Sequence, residues 1–118
     1  MNAVLDTCAL LDLLLAGYRP PLPAPWGASA ISWCEIAWKH RNGNLDLGPH
    51  RERFFADLRL AGVREVPVSA ALAVAAVDLA WDHRDPADRM IVATACHLGL
   101  PLITRDRIIS AYHPDCRW

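Results

Sequence analysis

The sequence predicts an α/β fold with a mostly parallel central sheet flanked by helices. Two observations carry that prediction. Short apolar runs alternate with segments that have helix caps and helical spacing. Acidic residues fall just after several of those runs, where an open parallel sheet gathers strand ends and helix starts. The 118 residues suffice for one domain, 1–118, without repeats or a linker.

The elements follow in order. "AVLD" (3–6) is a short apolar run suited to a buried strand. "TCALLDLLLAG" (7–17) is a helix with Gly17 just beyond its end. "YRPPLPAPW" (18–26) holds too many prolines for regular helix. "GASAI" (27–31) is a weak strand. "SWCEIAWKHRNGN" (32–44) begins with S-x-x-E, the pattern of a capping box between Ser32 and Glu35. Residues 48–62 form an amphipathic helix with Phe54, Phe55 and Leu58 facing inward. "VREVPVS" (63–69) is a strand, and the alanine-rich stretch 70–82 is a helix. "DPADRMIVATACHLGL" (85–100) is a helix capped by Asp85, with Pro86 in its first turn and Gly99 near its end. "PLIT" (101–104) is a strand, "RDRIISAY" (105–112) a short helix or turn, and "HPDCRW" irregular.

Composition excludes several classes. Hydrophobic residues make up 53% of the chain, too many for disorder, and some of its five tryptophans are expected at an interface. Trp33 and Trp38 fall on different sides of one helix, so one suits the core and the other a partner. No apolar run reaches the roughly 20 residues of a membrane span. "NAVLDTCALLDLLLAG" has no basic leader, and Asp6 and Asp12 interrupt it, so it is not a signal peptide. The four cysteines are dispersed and read as free thiols in a reducing cytoplasm. A net charge of −1 provides no strongly basic nucleic-acid footprint, and Lys39 is the sole lysine.

On this map Asp6 ends the first strand and Glu35 follows the second. Asp88 opens the helix at 85–100, and Asp106 follows the strand at 101–104. Each has a bland explanation. Glu35 fits a capping box, Asp6 and Asp106 fit helix caps, and Asp88 fits a helix dipole or a pair with Arg89. Capping does not explain a shared edge. Two carboxylates about 5 Å apart repel by roughly 3 kcal/mol at an effective dielectric near 20. A cluster of them raises its own pKa values or demands cations, and oxygen ligands suit Mg2+ or Mn2+ better than zinc.

"VLDTCALL", "SAISWCEIAWKHRNGNL", "HRDPADRMIVATA" and "LITRDRII" occur in that order and cover most of the chain. In these segments the sequence resembles the PIN-domain nucleases, and within them the VapC-type toxins of toxin–antitoxin pairs. The resemblance implies a PIN-like three-layer fold and an endoribonuclease that uses Mg2+ or Mn2+. Asp6, Glu35, Asp88 and Asp106 match the metal-binding acids by position. Thr7 and Thr104 match hydroxyl positions beside them, and Asp85 belongs to the H-R-D-P-x-D-R signature as a helix cap. Metal-activated water would cleave RNA phosphodiesters in line, leaving 5′-phosphate and 3′-hydroxyl ends. Arg89, Arg105 and Lys39, with Arg41 and Arg107, lie near enough in sequence to contact phosphates; for Arg89 a structural pairing is an equal alternative. His83 and His40 receive no role. The family implies a homodimer and a VapB-like antitoxin whose C-terminal peptide covers the acids. The proline-rich loop 18–26 departs from the family pattern and bears on the shape of the RNA entrance.

Rival readings remain. A receiver domain needs an acidic pair after the first strand and a late lysine, which are missing here. A haloacid-dehalogenase-like phosphatase needs D-x-D, and Cys8 stands at the second position. A non-catalytic RNA- or protein-binding module and a DNA-directed nuclease both stay open.

Overall fold

The computed structural model describes residues 1–118. Five strands form one sheet: β1 (Val4–Leu5), β2 (Trp26–Ser29), β3 (Val63–Val66), β4 (Leu102–Ile103) and β5 (Cys116–Arg117). Their order is β3-β2-β1-β4-β5, and every pairing is parallel. Six helices connect them: α1 (Thr7–Leu15), α2 (Ala30–Arg41), α3 (Arg51–Leu60), α4 (Ala70–Asp78), α5 (Pro86–Leu98) and α6 (Arg107–Tyr112). The α/β expectation holds.

The two-residue period of a strand divides the core between the sheet's faces. Leu5 and Ile103 join Leu10, Ile36, Phe54 and Leu58 on one side. Their neighbours Val4 and Leu102 join Ile91, Val92, Ala95 and Ile109 on the other. Helices α1 and α3 therefore cover one face, and α5 and α6 the opposite one. Helix α4 packs outside α5 through Leu72, Ala76 and Ala93. Trp33 stacks near Phe55, with ring centroids 6.0 Å apart, whereas Trp38 is 56% exposed, as their separation around α2 requires.

Strand order reverses at β1. The chain moves outward through β2 and β3, then returns to place β4 on the other side of β1. The crevice beyond the carboxyl ends of β1 and β4 is thus the switch point of the sheet, where open α/β folds bind ligands. Val4 pairs with Leu102 and Leu5 with Ile103, so Asp6 and Thr104 stand next to each other beyond the strands.

Several boundaries differ from the sequence expectations. Helix α2 starts at Ala30, and its cap is Ser29, whose hydroxyl accepts from the Ile31 N–H. Ser32 is already inside the helix and buried, so the Ser32–Glu35 capping box does not form. Helix α4 stops at Asp78 instead of reaching 82. The C-terminal "HPDCRW" is not wholly irregular, because Cys116 and Arg117 pair with β4 as an edge strand. The proline-rich loop begins against the residue after this edge strand: Tyr18 stacks on Trp118 with ring centroids 3.9 Å apart.

Candidate functional site

Asp6 caps α1 with one oxygen and faces β4 with the other. Its Oδ1 accepts from the Ala9 N–H at 2.8 Å, and its Oδ2 accepts from the Thr104 hydroxyl. Thr104 Oγ1 in turn accepts from the Asp106 N–H at 3.0 Å. Asp106 caps α6, its Oδ1 accepting from the Ile108 and Ile109 N–H groups at 2.8 and 3.1 Å. One buried threonine therefore ties the ends of β1 and β4 to the start of α6.

Thr7 performs the corresponding task for α2. Its Oγ1 lies 2.5 Å from Glu35 Oε1 and 2.9 Å from Ser32 Oγ. The hydroxyl has one proton, which goes to the carboxylate as the stronger acceptor. Ser32 and Glu35, three residues apart, share the helix face turned towards α1. Glu35 is held by a residue distant in sequence rather than by its own helix end.

Asp85 caps α5, its Oδ1 accepting from the Ala87 and Asp88 N–H groups at 2.9 and 3.1 Å. Asp88 lies in the first turn of that helix. Its Oδ2 is 2.8 Å from Nε2 of His83, a residue given no role above. His83, Asp85 and Asp88 offer potential ligand atoms within 4.8 Å of one another. That trio shares only Asp88 with the expected set; Asp6, Glu35, Asp88 and Asp106 form a looser array.

Electrostatics link the array. Asp6, 3% exposed, has its pKa raised to about 6. Burial is the main cause, with repulsion from Asp106 and Asp88 adding and the Thr104 and Ala9 hydrogen bonds opposing. Burial also raises Glu35, with Asp85 and Asp88 adding, while Thr7 and Lys39 oppose. Asp88 is raised by burial and by Asp85 and Asp106, against the His83 contact. No arginine or lysine forms an ion pair with any of the four acids. Glu35 Oε2, Asp88 Oδ1 and Asp106 Oδ2 make no hydrogen bond with the chain. These are hard oxygen donors with excess negative charge, and they fit a divalent cation.

The cations have distinct positions. Lys39 and Arg105 both oppose the rise of the Cys8 thiol, and Lys39 opposes that of Glu35 as well. Arg105 is set by Asp12, at 3.3 Å, and by the Trp118 ring, 5.5 Å from its guanidinium. Arg89 is spent elsewhere, as its structural alternative requires. Its Nε donates to Ala76 O, Nη1 to Trp81 and His83 O, and Nη2 to Val77 and Leu79 O, all at 2.6–2.9 Å. All five guanidinium donors are thus satisfied, and none remains for a phosphate. The expected phosphate contact is corrected to a clasp that closes the turn between α4 and α5.

The family model for the PIN domain matches residues 3–113. The chain belongs to the PIN domain family. It is 36% identical over 88 residues to Ribonuclease VapC22 of Mycobacterium tuberculosis (strain ATCC 25618 / H37Rv). That match covers 73% of this chain and 67% of the relative. A chain of the toxin-antitoxin complex from Klebsiella pneumoniae shares the fold with a TM-score of 0.69 at 24% identity. The match covers 99% of this chain and 97% of that one. Within this PIN domain, sequence reasoning missed His83. Its position before a capped helix gave no sign that it folds back onto Asp88, five residues later.

Proposed function

We propose that this chain is an endoribonuclease dependent on Mg2+ or Mn2+, acting in the cytoplasm as the toxin of a toxin–antitoxin pair. One observation carries the reading: buried Asp6 and half-buried Glu35 and Asp88 gather with repelling acidic neighbours at the sheet's switch point, and no arginine or lysine of the chain pairs with them. Likeness to a protein named Ribonuclease VapC22 supports RNA as the substrate.

Asp6, Glu35, Asp88 and Asp106 would hold the cation. When bound, such an ion supplies an acidified water and neutralises developing charge on the phosphoryl group. The chain's own residues orient the acids: Thr104 fixes Asp6, Thr7 fixes Glu35, and the α6 N–H groups fix Asp106. Lys39 and Arg105 attract the flanking phosphates. Cys8 is close by but is no nucleophile. Burial and Asp6 hold its thiol above its ordinary range, so thiolate is scarce at neutral pH. The reading assigns the attack to water, without a covalent intermediate, leaving 5′-phosphate and 3′-hydroxyl ends.

The proposed partners are RNA, a homodimer mate and a VapB-like antitoxin. Exposed Trp38, beside a hollow lined by Cys34, Ala37, Arg41 and Arg51, supports a protein interface on α2. Nothing crosses a membrane by helix, since no helix is long and apolar enough.

The test is to incubate protein with total RNA and with single-stranded DNA, in Mg2+, Mn2+ or EDTA, beside Asp6→Asn and Asp88→Asn. RNA cleavage that needs metal and both acids is the expected result. Equal degradation by wild type and variants sinks the mechanism, and preference for DNA replaces the substrate. Binding of RNA without any cleavage favours the non-catalytic module. The toxin role predicts that expression arrests growth and that a neighbouring small antitoxin gene relieves the arrest.

A further inference from the structure

His83, given no role from the sequence, is held in place by several contacts. Its side chain is 22% exposed, and that of Asp88 20%. Its Nε2 lies 2.8 Å from Asp88 Oδ2, and its ring rests 4.8 Å from that of Trp81. Trp81 is backed by Tyr112, with ring centroids 4.7 Å apart and planes 8° from parallel. The backbone is held as well: His83 O accepts from Arg89 Nη1 at 2.8 Å, and the same guanidinium binds Trp81 O at 2.6 Å. The side chain is therefore held by a tilted contact with the Trp81–Tyr112 stack, and the main chain by the Arg89 clasp, which anchors Trp81 as well.

That rigidity has a consequence for Asp88. The second torsion of an aspartate is broad, so an isolated carboxylate turns easily. With Asp88 ionised, as a cation ligand must be, Nε2–H donates to Oδ2 and stops the turning. Oδ1 is left without a hydrogen bond from the chain. Outer groups that fix a ligand in this way commonly alter metal affinity by about 10- to 100-fold.

We propose that His83 is a positioning residue for Asp88, holding one carboxylate oxygen so that the other is presented to the cation, and that Arg89 sets His83 by shaping residues 76–83. The proposal rests on the reading of Asp88 as a cation ligand. It assigns His83 no contact with RNA and no proton transfer.

The test measures Mg2+ binding alone by titration calorimetry on the full chain, in wild type, His83→Phe, His83→Gln and Asp88→Asn. Phenylalanine keeps a ring against Trp81 but has no donor; glutamine restores an N–H. The expected result is a loss of about tenfold or more in Mg2+ affinity for His83→Phe. His83→Gln should recover part of that loss, and both variants should still unfold in one cooperative step in EDTA. RNA cleavage by His83→Phe should lose kcat at constant KM. Wild-type Mg2+ affinity in His83→Phe, or no recovery in His83→Gln, overturns the proposal. Should the phenylalanine variant unfold, His83→Ala keeps the carbonyl held by Arg89 and carries the same expectation. The Asp88→Asn arm separates the two ideas. If it binds Mg2+ like wild type, the assignment of Asp88 fails; if it alone loses binding, only the role of His83 fails.

Discussion

Replacing Asp6 by asparagine should stabilise the metal-free protein while abolishing cleavage. The carboxyl titrates near 3.8 in an unfolded chain and at about 6 in the fold. Ionised Asp6 is therefore about 3 kcal/mol less favourable in the folded state than in the unfolded one. The sign follows from proton binding. The fold holds this proton more tightly than the unfolded chain, so stability falls as pH rises from about 4 to about 6 and then levels off. Asparagine is neutral throughout and escapes the loss. It keeps an oxygen for the Ala9 N–H and remains a good helix cap. It gives up the charged acceptor of the Thr104 hydroxyl, but that contribution is already contained in the midpoint of about 6. The gain at pH 8 is therefore up to about 3 kcal/mol, or roughly 1–3 M in the urea midpoint. The cleaner quantity is the change with pH. In EDTA, the advantage of Asp6→Asn over wild type should grow by about 2 kcal/mol between pH 4.5 and pH 8. Added Mg2+ should then raise the wild-type midpoint and leave the variant where it was. An advantage that does not grow with pH, or a variant less stable than wild type at pH 8, would refute the reasoning.

Other outcomes follow from the same geometry. Asp85→Ala loses the cap contacts to Ala87 and Asp88 N–H and should cost about 1 kcal/mol in urea unfolding, with Mg2+ affinity little changed. Asp88→Ala should do the converse, abolishing Mg2+ binding and cleavage with a smaller effect on folding. Arg89→Lys replaces five planar donors by three and should lower stability by about 2 kcal/mol or more, measured by urea unfolding in EDTA. The double variant Lys39→Ala, Arg105→Ala should raise KM for RNA and flatten its dependence on salt, with kcat changed much less.

The fold was largely legible because each central element announces itself locally. Val4–Leu5 and Leu102–Ile103 lie in short apolar runs, and α5 carries aspartate, proline and glycine at the expected places. What escaped depended on distant partners. Ser32 has the local pattern of a cap, but Thr7, 25 residues earlier, claims its hydroxyl and that of Ser29 serves instead. Helix α4 ends where Arg89 takes the carbonyls of Ala76, Val77 and Leu79, up to 13 residues away along the chain. Strand β5 has only two residues and one neighbour, too little to mark a period. Asp6, Asp88 and Asp106 could be read as acids at strand ends and helix starts, whereas Glu35, expected in a first turn, lies deeper inside α2. The histidine that holds one of them could not, since the turn bringing it round is made by Arg89.

The coincidence of helix caps with the proposed site acids has a physical reason. Burying several carboxylates without a cation drives their pKa values up, and a sufficiently large rise protonates them and removes them as ligands. Asp6 counters this by facing the N-terminus of α1, and Asp88 sits in the first turn of α5. Each terminus supplies N–H groups and about half a positive charge. The effect is visible at Asp6, where the Ala9 N–H and the Thr104 hydroxyl oppose a larger rise due to burial and leave the pKa at about 6. A carboxyl with that midpoint is mostly ionised at neutral pH yet still strained by its surroundings. Aspartates placed on the same sheet edge away from helix starts would lack this partial neutralisation and would tend to stay protonated.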